Sequence, residues 1–318
     1  MSLEAEVKFA FEFLSLLNAS EVSKVYSPVS LLHSLSMIYL GANNETAIQI
    51  SNVIGKDNKS SGRENTKTTR KRLHLSDDHN DDELINIIIA NKLFISSEVS
   101  ALRTYQQIIK NEYNAEFEKL NFEDTVTSAK KINNFVCDAT KGVIKEIVTS
   151  ADLDSSMVAA IINAVYFQGF WEKPFENRRK RIFYSNLFRK IEMMTTSPKN
   201  GDWNFRVGNE WTALGIPYKN RITWMFIVLP EKKDGLSDLV AKMNFEFFKN
   251  VTTRQLSGKL GVTIPIIETT TELELPKYLS KLGIIDAFND RCDLTNMFEG
   301  CKKHKIGKAI HKAVIKAR

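Results

Sequence analysis

The sequence predicts a domain that combines α-helices with β-strands, and three segments carry that prediction. Two segments near the N-terminus have apolar residues at helical spacing. A third segment, residues 158–170, is almost entirely apolar or aromatic, which predicts a strand buried on both faces. The composition agrees, because 26% charged and 43% hydrophobic residues are typical of a soluble globule.

The first predicted helix is amphipathic and does not have the pattern of a secretory signal. Its apolar side chains alternate with charged ones: Phe9, Phe13, Leu16 and Leu17 against Glu4, Glu6, Lys8 and Glu12. No apolar run reaches the roughly 18 residues that a membrane span needs, so we expect no membrane partner. The three cysteines, an odd number, favour a reducing compartment. We therefore expect a cytoplasmic location, with export without a cleaved signal as the alternative.

The second predicted helix begins after Ser27. Serine is a favoured N-cap, and Pro28 suits the first helical turn because its ring fixes a backbone dihedral angle there. Apolar residues then recur at helical spacing until Gly41, which is placed to end the helix. Ser27 and Ser30 therefore lie three residues apart near the start of this helix.

The predicted buried strand contains one amide, Asn163, within its apolar run. A buried amide without hydrogen-bond partners costs on the order of 1–3 kcal/mol. We therefore expect this strand to lie beside an element that offers hydroxyl or imidazole groups. The helix that follows Ser27 could supply the hydroxyls.

The helix after Ser27 and the strand around Asn163 together resemble the serpin family. Further fragments resemble elements of the family in the same order along the chain. Residues 89–94 resemble the second strand of the large sheet, and residues 132–135 with 140–144 resemble the helix and turn that cross its front. Residues 216–218 with 225–230 resemble a buried hairpin, residues 282–288 the helix before the fifth strand, and residues 311–313 the signature within that strand. The order of these fragments carries the resemblance, which runs from about Phe9 to Ile315.

The resemblance implies an α+β fold with three β-sheets and about eight or nine helices, in a single domain over residues 1–318. It also implies that Ser27, Ser30, Asn163 and His311 form a hydrogen-bonded cluster beneath the point where the central sheet opens. The implied role of this cluster is structural gating of the sheet, without acid–base catalysis. Trp171 resembles the tryptophan at the top of that sheet, where an inserting strand enters first.

The function that the resemblance implies is the inhibition of serine-type endopeptidases. In the family mechanism a serine or cysteine peptidase cuts a reactive loop, which then inserts into the central sheet as a new strand. That loop, its hinge and the last strands follow the segment that residues 311–313 resemble, and the sequence ends at Arg318. We therefore expect an incomplete or alternative form that does not trap a peptidase by itself. The alternative is a non-inhibitory binding protein with this fold, or an inactive truncated isoform.

The same expectation has a consequence for stability. Roughly ten missing apolar side chains, at about 1.5–3 kcal/mol each, amount to ~15–30 kcal/mol. A whole domain has a net stability of only about 5–15 kcal/mol. We therefore expect that the polypeptide alone does not form a well-packed monomer, and that it needs its missing tail, a partner strand or self-association through open sheet edges.

The last segment of the chain has two interpretations. Ile306, Ile310 and Val314 recur every four residues between lysines, and this period predicts a basic helix over residues 305–316. The resemblance implies a strand over the same residues. We expect the strand in the intact protein.

Residues 55–83 form a strongly charged segment. Seven cations lie between Lys56 and Arg72, and five carboxylates follow directly. We interpret the segment as a solvated, mobile loop whose two charged halves partly neutralise each other. Since serpins often bind glycosaminoglycans at the helix in this region, the alternative is a polyanion-binding patch at Lys67, Arg70, Lys71 and Arg72.

A second basic run occupies residues 178–181, with the sequence Arg-Arg-Lys-Arg. We interpret it as the start of an exposed strand whose cations discourage pairing with another edge. The alternative is a site for a processing protease.

The sequence contains no recognisable pattern of catalytic residues. The patterns Gly-x-Ser-x-Gly, His-Glu-x-x-His and Cys-x-x-Cys and a phosphate-binding glycine loop are all absent. Three of the five histidines lie in polar surroundings, which makes a metal cluster unexpected. We expect a protein that is not an enzyme, that needs no metal or cofactor and that has no nucleic-acid partner.

Overall fold

The structure is a computed structural model that describes residues 1–17, 22–55, 85–113, 117–184, 189–200, 203–219, 222–255, 259–300 and 305–317. The predicted loop of residues 55–83 lies outside these ranges, except for Gly55 at the end of a helix. The predicted polyanion patch of Lys67, Arg70, Lys71 and Arg72 also lies outside the described residues.

Eight α-helices lie within the described residues. They are α1 (Leu3–Ser15), α2 (Pro28–Gly41), α3 (Asn44–Ile54), α4 (Arg103–Tyr113), α5 (Thr125–Ala139), α6 (Leu236–Ala241), α7 (Phe245–Thr252) and α8 (Leu275–Leu279). The two helices predicted near the N-terminus are α1 and α2.

The strands of the described residues form three sheets. They are β1 (Ile85–Ser96), β2 (Phe117–Leu120), β3 (Ala159–Gly169), β4 (Asn177–Phe183), β5 (Arg189–Asn200), β6 (Asn204–Val207), β7 (Trp211–Pro217), β8 (Trp224–Pro230), β9 (Lys259–Pro265), β10 (Ile267–Glu274) and β11 (Ile306–Ala317). The large sheet has the order β10-β11-β3-β1-β2, and the small sheets have the orders β4-β5-β9 and β6-β7-β8. The predicted α+β fold with three sheets is confirmed, and the implied hairpin is formed by β7 and β8.

The large sheet lies between two layers of helices, and this explains the apolar run of β3. Ile161 packs into a core with the helices α1 to α3 behind the sheet. Ile162 faces the opposite way and packs against α5 in front of it. Because successive residues of a strand point to opposite faces, both faces of β3 must be apolar. The prediction of a strand buried on both faces is confirmed.

The strands β3 and β11 pair in parallel, and we call this junction the central seam. Each of the two strands pairs antiparallel with its other neighbour, β3 with β1 and β11 with β10. The seam pairs residues 159–169 with residues 306–317.

The helix predicted from the four-residue period of residues 305–316 is not formed, because this segment is the strand β11. Four is an even number, so residues four apart also share one face of a strand. Ile310 and Val314 pack against the front core from that face. The lysines between them on the same face pair with carboxylates, as described below.

The helix α2 starts and ends as its sequence predicts. The Ser27 Oγ accepts a hydrogen bond from the backbone N–H of Ser30 at 3.3 Å, and Pro28 occupies the first helical turn. Gly41 ends the helix where Met297 packs closely, because a Cβ atom at Gly41 would lie 2.6 Å from the Met297 Cε. Hydrogen bonds from Ser27 and Ser30 to the large sheet, described below, place the start of α2 behind the central seam.

The helix α5 crosses the front of the sheet and is joined to β3 by a linker, residues 140–158. The turn implied for residues 140–144 is present, with Lys141 and Gly142 in the left-handed region at φ 51° and 78°. Asn133 of α5 holds the linker, because its side chain bonds the backbone of residues 147 and 148. The linker therefore lies fixed in front of the sheet.

The helix implied for residues 282–288 is not continuous. Two short 3₁₀ turns follow α8, at Ser280–Leu282 and Asp286–Phe288. Gly283 separates them with a φ of 106°, a conformation that stops a right-handed helix.

Candidate functional site

A row of polar side chains crosses the large sheet behind the central seam. The strand register places Asn91 of β1 opposite Asn163 of β3, and Asn163 opposite His311 of β11. Asn163 and His311 are fully buried. The helix α2 lies behind the sheet and supplies their hydrogen-bond partners. The sequence predicted such an element, because the amide of Asn163 interrupts an apolar strand.

Asn163 has a partner for both polar atoms of its amide. Its Nδ2 donates to the backbone oxygen of Ser30 at 2.9 Å and to the Ser34 Oγ at 3.1 Å. Its Oδ1 accepts from the Ser30 Oγ at 3.0 Å and lies 2.5 Å from the His311 Nδ1. This buried amide therefore avoids the cost of unsatisfied polar atoms.

The two nitrogens of His311 have fixed and different roles. The backbone N–H of Ser27 points at Nε2 at a distance of 3.1 Å, and since an amide N–H can only donate, Nε2 is the acceptor. The proton of the neutral ring is then on Nδ1, which donates it to Asn163. Burial lowers the pKa of His311 to about 3, so the ring is neutral at physiological pH.

Ser27 and Ser30 contribute in different ways. Ser27 reaches His311 through its backbone N–H, while its hydroxyl caps α2. The Ser30 Oγ lies 3.0 Å from Oδ1 of both Asn163 and Asn91, so its single proton can be donated to either amide. The structure thus brings together all four residues for which the sequence predicted a cluster.

Three further residues belong to this cluster and were missed in the sequence. Ser34 bonds to Asn163, and Asn91 lies beside it and 3.3 Å from the His33 Nδ1. The signal for Asn91 was present, because it is also an amide inside an apolar strand. The signal for Ser34 was its position one helical turn after Ser30.

The geometry of this cluster suits a structural role. Its histidine is neutral and fully buried, so a substrate cannot reach it for proton transfer. Its hydrogen bonds join β3 and β11 to each other and to the N-terminal turn of α2. The cluster can therefore hold the central seam closed.

Trp171 lies away from the cluster, just past the end of the seam that pairs Gly169 with Ala317. Its ring stacks on Tyr218, with centroids 4.7 Å apart and planes 6° apart. The Tyr218 ring also packs against the backbone of Gly169. Only glycine fits there, because a Cβ at Gly169 would lie 2.4 Å from the Tyr218 ring. Within the described residues, the buried Nε1 of Trp171 and hydroxyl of Tyr218 have no hydrogen-bond partner, and burial raises the pKa of Tyr218.

Two lysines of β11 hold the front of the seam. The Lys308 Nζ lies 2.8 Å from a carboxylate oxygen of Asp152 in the linker and 2.8 Å from one of Glu274 in β10. The Lys312 Nζ donates to the backbone oxygen of Glu146 in the linker at 2.7 Å and pairs with Glu272 at 2.8 Å. Both lysines therefore tie β11 to the segment that leads into β3.

The part of the chain that the structure describes shows no cluster of three or more histidine, cysteine, aspartate or glutamate residues that could hold a metal ion. In the same residues, every helix is too short or too polar to cross a bilayer.

Comparison with known proteins gives a consistent result. The profile of the family described as Serpin (serine protease inhibitor) matches residues 4–318. Human Serpin B3 is 29% identical over 336 aligned positions, which cover 98% of this chain and 84% of that protein. The crystal structure of uncleaved ovalbumin superposes with a TM-score of 0.87 at 24% identity, covering 99% of this chain and 86% of the other. The structure of native protease nexin-1 with heparin superposes with a TM-score of 0.87 at 19% identity, covering 99% and 86%.

Proposed function

The chain belongs to the serpin family, and from that premise we propose that it forms the scaffold of an endopeptidase inhibitor that acts by accepting a strand into its central seam. The observation that carries the proposal is the parallel pairing of β3 with β11. A strand inserted between them, antiparallel to both, would make the four successive pairings from β10 to β1 antiparallel. Antiparallel ladders are slightly more stable per residue than parallel ones, so insertion is favourable once the seam has opened.

We propose that the hydrogen-bonded cluster behind the seam gates this opening. Separation of the strands breaks the bond between His311 and Asn163. It also pulls at least one of these side chains away from α2, to which each is bonded separately. The inserted strand must compensate for these bonds before the open form becomes stable.

The end of the seam beside Trp171 is proposed as the place where an inserting strand enters. The stacked rings of Trp171 and Tyr218 form a rigid end to β3 there. Their two buried polar atoms without partners, in the described residues, offer one donor and one hydroxyl to an arriving backbone.

The proposal is tested first on the seam itself. A synthetic peptide of about twelve residues, with the alternating small and apolar pattern of a strand, is incubated with the protein. Insertion is expected to raise the melting temperature well above that of the untreated protein, because it adds a strand to the sheet core. A control peptide in which alternate residues are proline cannot complete the ladder and is expected to have no effect. Equal melting temperatures with both peptides would contradict the proposal.

The second test is peptidase capture. The protein is incubated with trypsin-like, elastase-like and cathepsin-like peptidases, and SDS-resistant complexes are sought by electrophoresis. A polypeptide of residues 1–318 is expected to accept a strand without capturing a peptidase, since the family's reactive loop follows the strand that β11 forms. A form that carries this loop is expected to form the complex. A complex formed by residues 1–318 would show that our assignment of the loop is wrong.

A second candidate function is binding without inhibition, and the exposed basic strand β4 favours it. This function predicts a partner that is retained by the protein in the absence of any peptidase.

A cytoplasmic location is proposed with either function and is supported by the free thiols of Cys137 and Cys292. Export without a cleaved signal stays the alternative.

A further inference from the structure

The strand β4 is the free edge of the small sheet β4-β5-β9 and carries four consecutive cations, Arg178, Arg179, Lys180 and Arg181. All seven of its residues are exposed. On one side β4 pairs with β5, and on its other side no strand of the described residues pairs with it. In an antiparallel pair, alternate residues of an edge strand point their backbone N–H and C=O groups outward, so β4 offers a row of unused backbone groups.

The cations of β4 form no ion pair within the part of the protein that the structure describes. None of the four has an ion pair there, although Glu192 of β5 stands opposite Lys180. Lys190 of the same strand adds another exposed cation opposite Ile182. Cations two residues apart on a strand are separated by only about 7 Å, which is within the screening length of physiological salt. They repel each other, and an acidic partner would relieve this repulsion.

The lysines of β11 are a useful contrast. They also alternate along a strand, but each pairs with a carboxylate of the neighbouring strand β10: Lys308 with Glu274, Lys312 with Glu272 and Lys316 with Glu268. On β11 the sheet supplies its own acidic neighbour strand. On β4 the corresponding position beside the free edge is empty in the described part of the chain.

The cations point to both faces of the sheet, and this decides which acidic partner fits. Arg178 and Lys180 lie on one face and Arg179 and Arg181 on the other, since side chains alternate along a strand. A sulfated polysaccharide or a lipid surface lying on one face would contact only half of them. An extended acidic peptide at the edge would have its own side chains alternating between the same two faces and would meet all four.

We propose that the free edge of β4 is a docking site for an extended acidic segment of a partner protein, which adds to the sheet as an antiparallel or parallel strand. The backbone groups of β4 supply the hydrogen bonds, and its four cations select the acidic side chains. Ile182 and Phe183, exposed by 51% and 39%, extend the site with apolar contacts at the end of the strand. The same cations repel β4 of a second copy, so the site selects an acidic partner over self-pairing.

This inference is independent of the proposed inhibition. Its probe is a fluorescent peptide of about twelve residues that repeats Glu-Glu-Thr-Val, which places glutamates on both faces of an extended strand, titrated with the full chain at low salt. The same peptide with N-methyl groups on all of its backbone amides keeps its charge but cannot donate a backbone hydrogen bond from either edge. We expect the first peptide to bind at least tenfold more tightly than the methylated one. Hydrogen exchange is expected to slow at the amides of β4 and β5 on binding.

Two double variants test the two faces separately. One combines Arg178→Glu with Lys180→Glu, and the other combines Arg179→Glu with Arg181→Glu. Each is expected to weaken peptide binding at least tenfold. The matched control is Lys130→Glu with Lys131→Glu, which makes the same change in net charge at exposed positions of α5 and is expected to change binding less than about twofold. Glutamine variants at the same β4 positions replace any reversal whose melting temperature departs from that of the parent.

Four results would overturn the proposal. They are no binding of the acidic peptide at low salt, equal binding of the methylated peptide, sensitivity to the reversals on one face only, and tighter binding of a heparin oligosaccharide or of phosphatidylserine vesicles than of the peptide. The last two would identify the surface as a one-sided polyanion or lipid site. Cleavage after Arg181 by a trypsin-like protease, without peptide binding, would support the processing-site alternative instead.

Discussion

His311 of β11 and Asn163 of β3 stand directly opposite each other on two parallel strands, and their side chains are joined by a hydrogen bond of 2.5 Å. Each also bonds separately to the first turn of α2, His311 to the N–H of Ser27 and Asn163 to the backbone oxygen of Ser30. Three distant parts of the chain therefore meet in one buried triangle. Removal of the His311 ring would leave the Ser27 N–H without its acceptor, and removal of the Asn163 amide would leave the His311 Nδ1 without its acceptor, which is the costly case for a hydrogen bond.

The first prediction concerns His311→Ala. The substitution leaves the partly buried Ser27 N–H without its acceptor and removes one donor from the Oδ1 of the fully buried Asn163. We expect the free energy of unfolding to fall by about 2–4 kcal/mol and the melting temperature by about 4–8 °C. The measurement is thermal unfolding followed by circular dichroism.

The matched control for this substitution is His33→Ala. His33 lies on α2 at the edge of the same cluster but is only partly buried and bonds Asn91 at 3.3 Å. We expect it to cost about 1 kcal/mol. An unchanged melting temperature in His311→Ala would show that the triangle does not stabilise the fold.

The second prediction concerns acid stability. The pKa of His311 is about 3 in the folded protein, against 6.5 for an unperturbed histidine, because burial disfavours the charged ring. Below pH 6.5 His311 is protonated in the unfolded chain but stays neutral in the folded protein. The contribution of the neutral ring is therefore complete above pH 6.5 and is lost as the pH falls towards 3, at about 1.4 kcal/mol per pH unit.

This loss is measured by comparing the parent protein with His311→Gln in urea unfolding between about pH 7 and about pH 4, a range that lies above the folded pKa of the ring. The carboxylates are the same in both proteins, so their contribution cancels in the difference. We expect the stability of the parent relative to the variant to decrease steadily as the pH is lowered. Parallel stability profiles would mean that His311 titrates alike in the folded and unfolded states.

Much of the cluster was predictable because its residues break local patterns. Asn163 is polar within an apolar strand, and Ser27 stands before a proline at the start of an apolar helix. Physical chemistry alone requires partners for the amide, but it does not identify His311, which is almost 150 residues further along the chain. That pairing came from the resemblance to a family. Asn91 was missed although it breaks the pattern of β1 in the same way as Asn163.

The sequence was least informative at β11. The period of four residues between Ile306, Ile310 and Val314 is compatible with one face of a helix and with one face of a strand. The neighbouring strand β10 favours a strand over a helix here, because it supplies the glutamates that pair with the lysines of this face. Such partners are set by tertiary structure and cannot be read from residues 305–316 alone.

The third prediction concerns the front of the seam and the ion pair of Lys308 with Asp152. Burial alone would raise the pKa of Asp152, but hydrogen bonds from Lys308 and Thr149 outweigh it and lower the pKa to about 2. The pair ties β11 to the linker that leads into β3. We expect Asp152→Asn to lower the free energy of unfolding by about 1 kcal/mol, since the pair is partly exposed. We also expect it to speed the insertion of a strand peptide several-fold.

Glu274→Gln is the control for this prediction. It removes the other carboxylate of Lys308, but that carboxylate lies on β10, on the same side of the seam as Lys308. A similar loss of stability is expected, with no change in the rate of peptide insertion. If both variants insert the peptide at the same rate, the linker contact does not restrain the seam.

The fourth prediction concerns self-association through β8. This strand is the free edge of the sheet β6-β7-β8 within the described residues, and its sequence from Trp224 to Leu229 is entirely apolar. Leu229 is exposed by 63%. An exposed apolar edge pairs readily with another chain, and a lysine on such an edge discourages pairing. We therefore expect residues 1–318 to form dimers or larger species at micromolar concentration, and Leu229→Lys to shift them towards the monomer.

Sedimentation velocity over a range of concentrations measures this shift. The control is Val126→Lys, which introduces the same charge at an apolar residue exposed by 68% on the helix α5. It is expected to leave the association unchanged, because Val126 lies on a helix and not on a strand edge. A monomeric parent protein, or an equal effect of the two lysines, would mean that the edge of β8 is not the contact between copies.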